Sequence, residues 1–396
     1  MFLGMTLWFS ATAATAPIVA EFQLSPGQAA WLTMAVQGGF VAGTLFSAIA
    51  NLPDLINPRR LFAVGCVAGA AANVSLIWAE GPWHLTTLRV LTGIALAWVY
   101  PPGMKVAAGW FEQRRGAALG VLIGALGIGS AFPHLLAGVS ADIPWRTLIA
   151  VASVLAVGGA AIILVFVGDG PYVATSARFE PGAAARVFAD RKTRLATLGY
   201  LGHMWELYAV WAWIGVFATA SLTPGASAGA AATSTTGSLI AFLAIASGAA
   251  GSVVAGLFAD RIGKARVARY AMIASAACAA VSGLAFNAPR VVLVVLVIIW
   301  GVSAVADSAQ LSALVAEFSP RDHVGTALTI QTSAGFLLTM ASIRLVPVFA
   351  GMVGWRWAFL VLVPGPALGA WIIRELDESP PQAARRAGLD TRPAAR

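Results

Sequence analysis

Charge is what this chain has least of. Only 11% of its 396 residues are Asp, Glu, Lys or Arg, against about a quarter in water-soluble domains, and mean hydropathy is +0.81. A soluble globular protein is thereby excluded. Cysteine is nearly absent too: Cys66 and Cys278 both lie inside apolar runs, which excludes a disulfide framework and leaves two small core hydrophobes. No nucleophile–base pair, nucleotide fingerprint or metal-ligand spacing stands out, and the segments between apolar runs are too short for a catalytic domain, so neither an enzyme nor a bound cofactor or metal is expected. The formal charge of +8 could suggest nucleic acid, but the cations fall in short stretches between apolar runs and read as membrane topology signals instead.

What is present is apolar sequence, 59% of the chain, in runs long enough to cross a hydrocarbon core of about 30 Å. Twelve are read: 1–20, 29–51, 61–80, 85–109, 116–138, 147–167, 196–220, 230–258, 267–286, 291–316, 326–349 and 357–373. The first residues carry no basic leader, so they are read as the first span and not as a cleaved signal. Most Lys and Arg lie after the even-numbered spans and in the tail, whereas the opposite loops hold only Arg146, Arg290 and Arg356. Both termini are therefore expected in the cytoplasm of a multi-pass inner (plasma) membrane protein surrounded by lipid bilayer. Residues 168–195, rich in charge, Pro and Gly, form an expected cytoplasmic linker between 1–167 and 196–373, and 374–396 a polar tail.

The halves repeat. Ala50-Asn-Leu-Pro-Asp54-Leu-Ile-Asn57-Pro-Arg59-Arg60 precedes a fuller version, Gly256-Leu-Phe-Ala-Asp260-Arg261-Ile-Gly263-Lys264-Ala-Arg266, and Trp145-Arg146 precedes Trp355-Arg356 at nearly the same spacing. Features recurring in order at one interval indicate a duplicated six-span unit. The second loop resembles the Gly-x-x-x-Asp-Arg-x-Gly-Arg/Lys signature of the major facilitator superfamily, and Arg89-Val-Leu-Thr-Gly93 is similar to that family's Arg-x-x-x-Gly element. The first loop departs from the signature at Leu55 and Asn57. The resemblance implies an all-α membrane protein, two pseudo-symmetric six-helix bundles around a central cavity, working by alternating access. It further implies a conformational gate at Asp54, Arg60, Asp260, Arg261, Gly263 and Arg266. One twelve-span chain encloses a complete pathway, so a monomer is expected.

Ionisable groups at membrane depth are costly and usually mark a pathway, a proton relay or an ion pair. His203 and Glu206 sit one turn apart in span 7 and Asp307 lies in span 10; these are the expected proton-coupling groups, with structural pairing as the competing account. Arg89, Lys105 and Arg344 would favour a small anionic organic substrate if they face the cavity, or would simply snorkel to the interfaces if they do not. Trp205 and Tyr208 could stack on the substrate's apolar body, and Gln37 and Gln331 could line the cavity or serve helix packing. Export of hydrophobic or cationic compounds by proton antiport and a non-transporting receptor or assembly factor are the alternatives. Pro101, Pro102 and Pro133 are expected to bend or open spans 4 and 5.

Overall fold

The computed structural model describes residues 1–111, 115–139, 143–172, 180–223 and 234–376, with the backbone alone described for 53–54, 115–117, 181 and 321. The described chain is helical throughout, and nine of its helices are long and apolar enough to cross a membrane. The three further crossings are broken or less apolar. Span 1 is assembled from Phe2–Met5, Ser10–Ala13 and Thr15–Phe22; span 4 from Pro82–Leu96 and Tyr100–Trp110; span 7 is the single helix Arg191–Leu222, whose His, Glu and Trp residues dilute its apolar content. Span 10 also changes course, from Arg290–Ala306 to Ser308–Phe318 at Asp307.

Local chemistry explains most of these boundaries. Prolines open spans 2, 3 and 4 at Pro26, Pro58 and Pro82, where a missing N–H costs nothing. Ser25 and Gln28 form a capping box at the start of Pro26–Ile49, and Asn57, Asp190 and Ser234 cap Pro58–Val74, Arg191–Leu222 and Thr235–Ile262. In span 4 the helix loosens over 97–99, because Pro101 and Pro102 cannot donate to the carbonyls one turn back. Pro133 behaves differently: Arg115–Val139 runs through it as one helix, so the expected opening of span 5 is not seen.

The duplication is visible in the packing. Gly39 and Gly93 let spans 2 and 4 touch backbone to backbone, since a β-carbon on either would overlap Val90 O or Val36 O. Gly251 and Gly301 do the same for spans 8 and 10, against Val302 O and Ala244 O. Two further contacts join the halves. Span 5 lies along span 8, where Gly124 faces Ala249 and the Ser252 hydroxyl donates to Gly120 O at 2.8 Å. Span 2 lies along Val324–Val353, span 11, with Gly38 against Met340. The side of the molecule that carries the interhalf linker is called the linker side below, and the opposite one the far side.

Candidate functional site

Where the halves meet, a layer of rings fills the centre. Trp8 of span 1 packs on Phe40 of span 2 at 5.1 Å between centroids, and on Tyr208 of span 7 and Phe336 of span 11 at 5.6 Å each. Phe40 and Phe336 close the layer across the halves at 4.5 Å. Rings at these separations and tilts attract through their quadrupoles as well as by burial. A cavity of about 450 Å³ lies toward the linker side of this layer, lined by Tyr100, Tyr200, Tyr208, Trp211, Ser308 and Phe336 among others. A second, of about 380 Å³, lies toward the far side among spans 1, 2, 5 and 7.

Each half buries a charged side chain at the junction of its first, third and fourth helices. In the first half this is Arg89, 0% exposed. Its guanidinium donates to Leu32 O at 3.0 Å, to Leu7 O at 3.1 Å, to Trp8 O at 2.5 Å and to Asn73 Oδ1 at 3.2 Å. Span 1 is broken between Phe2–Met5 and Ser10–Ala13, and carbonyls freed by a break in a dry interior need donors. Arg89 supplies them, so it neither snorkels nor faces the cavity. In the second half the buried charge is Glu206, which accepts from Ser275 Oγ at 2.5 Å and from Trp300 Nε1 at 2.6 Å. Its carboxylate is thus held by spans 9 and 10 instead of by His203, its neighbour one turn away.

His203 turns to Asp307. Its Nδ1 lies 2.8 Å from Asp307 Oδ1, both side chains 2% exposed. No aligned hydrogen bond reaches that oxygen, and His203 Nε2 has no partner, so the pair is a close polar contact with spare hydrogen-bonding capacity. Gln37 and Gln331 are fully buried, and in both the amide nitrogen and oxygen lack partners. Buried polar atoms are nearly always satisfied, and those that are not call for an explanation such as a ligand or water. Tyr208 lies in the ring layer and lines the 450 Å³ cavity, whereas Trp205 directs its Nε1–H to Val361 O at 3.0 Å. Lys105 is half-buried in the second segment of span 4. Arg344 is exposed toward the far side, its guanidinium 3.4 Å from where a β-carbon on Gly27 would stand. Among the described residues no group of three His, Cys, Asp or Glu could hold a metal ion.

The expected gate residues sit on the linker side. Asp260, Arg261, Arg266 and Arg60 are exposed, and the Asp54 side chain lies outside the described residues. Gly263 turns span 8 into span 9 at φ +96°, a conformation that suits glycine alone. Two ties are set there: Lys264 Nζ meets Glu317 Oε2 at 2.8 Å within the second half, and Arg59 of the first half meets Asp169 at the start of the linker through Nε–Oδ1 at 2.7 Å and NH2–Oδ2 at 3.0 Å, with Asn57 Nδ2 adding a third donor at 3.0 Å. Asp169 was not anticipated, since an acid in a loop has no sequence mark of its partner. The Arg59 guanidinium, then the Asn57 amide, hold its carboxyl below the usual carboxylate range. A lowered native value means the tie is complete at neutral pH and is lost as pH falls through that value. Asp169→Asn is therefore expected to raise hydrogen exchange of residues 166–172 several-fold at pH 7, an effect that high salt on the parent protein approaches.

Comparison with known proteins agrees with this architecture. The Major Facilitator Superfamily matches the chain over residues 1–229 and again over 221–395. A probable actinorhodin transporter of Streptomyces coelicolor is 32% identical over 124 residues, which cover 30% of this chain and 21% of that protein. A crystal structure of a mutant of the nucleoside transporter NupG superposes with a TM-score of 0.72 at 14% identity, covering 96% of this chain and 98% of the other. With each half matched in turn and the helical arrangement shared from end to end, the chain belongs to the Major Facilitator Superfamily and is a multi-pass membrane transporter, not an enzyme.

Proposed function

We propose that this chain carries a small aromatic organic solute across the plasma membrane by alternating access, as a monomer with both termini cytoplasmic, and couples the movement to protons at His203 and Asp307. The observation that carries this reading is the ring layer between two cavities. Trp8, Phe40, Tyr208 and Phe336 come from both halves, so rocking one half against the other would part them and join one cavity to the other. Rings of this kind offer faces on which a planar solute stacks, and the unpartnered amides of Gln37 and Gln331 would fix its polar edge. Nucleosides, the solutes named for the structurally similar protein, have such a planar ring with a polar edge, which accords with this class though not with any one compound.

A small organic anion has less support. That class rested on three interior cations, and Arg89 is committed to backbone carbonyls while Arg344 stands at the far-side surface; only Lys105 is left near the pathway. Export of hydrophobic compounds remains compatible with the same layer. Reconstituted into liposomes, the protein is expected to exchange neutral aromatic solutes such as uridine or phenol across the membrane, faster under an imposed pH gradient. Exchange confined to aliphatic carboxylates would overturn the reading.

A further inference from the structure

The far-side cavity holds a histidine that the reading of the sequence passed over. His134, in span 5, is 4% exposed, and neither ring nitrogen has a partner. It lines the 380 Å³ cavity with Thr12, Thr15 and Thr33 on one side and Ala212, Trp213 and Val216 of span 7 on the other. The hydroxyls of Thr12 and Thr33 lie 2.8 Å apart, so one of them donates to its neighbour and the other has a hydrogen to spare. Thr15 donates to Thr12 O at 2.8 Å and can only accept from a ligand, while the Trp213 N–H is already given to Ile343 O. No Asp, Glu, Lys or Arg is among the lining residues.

We infer that this cavity is a ligand subsite for an uncharged polar group, an amide or a hydroxyl, recognised by His134 with the Thr12–Thr33 pair. Imidazole brings one donor and one acceptor in its neutral form, and the threonine pair brings a further donor. A group able to give and receive hydrogen bonds at once would satisfy all three. A carboxylate could use only the donors, and an ammonium would find no counter-charge; both would lose their hydration among alanines and a tryptophan. The inference builds on the transport reading above, because it assigns the substrate's polar end to the far-side chamber.

The test uses three probes of one size: benzamide, benzoate and benzylammonium. Thr15→Cys places a thiol at the half-buried rim of the cavity, in a chain whose own two cysteines are buried. In purified full-length protein, benzamide at about 10 mM is expected to slow N-ethylmaleimide labelling of that thiol roughly tenfold, as a ligand with a Kd near 1 mM would. Benzoate and benzylammonium are expected to have no effect. Adding His134→Ala removes the protection, and adding His134→Gln, which restores a donor and an acceptor, returns part of it. Equal protection by benzoate, protection that survives His134→Ala, or no protection by benzamide would each overturn the assignment. Protection by benzamide without solute exchange in liposomes would leave the subsite standing and sink the transport reading instead.

Discussion

Arg89→Ala is expected to give a protein that inserts but does not hold its first span. The substitution leaves Leu32 O, Leu7 O, Trp8 O and Asn73 Oδ1 without the guanidinium that joins them. Each buried acceptor stranded in this way costs about 1–3 kcal/mol, and bonds from a charged donor are the stronger kind. A total near 4 kcal/mol corresponds to a fall in melting temperature on the order of 10 °C for a chain of this size. Arg89→Lys recovers little of it, because a single ammonium cannot reach carbonyls on spans 1 and 2 together. Thermal unfolding of the detergent-purified variants, followed by loss of the monodisperse peak, checks this. An Arg89→Ala protein that melts like the parent yet fails to transport would return Arg89 to the substrate.

Asp307→Asn is expected to separate transport from its driving force. The amide keeps the shape of the side chain at the turn between Arg290–Ala306 and Ser308–Phe318, but it has no proton to release. Accumulation driven by a pH gradient falls at least about tenfold, whereas exchange of solute at equal pH on both sides stays within about twofold, as befits loss of a titrating group from a pathway. His203→Gln behaves in the same way because it removes the other member of the contact. Glu206→Gln separates differently: the amide can still accept from Trp300 and donate to Ser275 Oγ, but both contacts lose their charged acceptor, so stability suffers along with both modes of transport. Equal loss of driven accumulation and of exchange in Asp307→Asn would sink the coupling role.

The helices were legible because lipid imposes a simple rule. Each crossing needs an apolar run of fixed length, and twelve such runs can be read directly. Span 7 is readable in spite of its polar and aromatic content because a charged stretch, Arg191 to Arg194, precedes it and its neighbours are regular. The break in span 1 was not foreseen: Thr6-Leu7-Trp8-Phe9 contains neither Pro nor Gly, and the cause is Arg89, more than 80 positions away. For the same reason Arg89 was open to being read as a cavity cation. Pairings beyond one turn were equally hidden. The i,i+3 spacing of His203 and Glu206 suggested that they face each other, but Ser275 and Trp300 take the carboxylate and Asp307 takes the imidazole. His134 drew no notice because a lone histidine in a Gly- and Ala-rich run has no distinguishing pattern; only its orphaned nitrogens set it apart.

The two halves share glycine contacts to the residue, yet one conceals a cation at its three-helix junction and the other an anion. They have stopped being spare parts for one another. A hybrid built from two copies of residues 1–167 would carry the broken first span and its guanidinium twice, but it would lack Glu206 and Asp307, so its pathway would have no acid to carry a proton. Specialisation after duplication is therefore recorded in the sign of the charge that each copy buries at that junction.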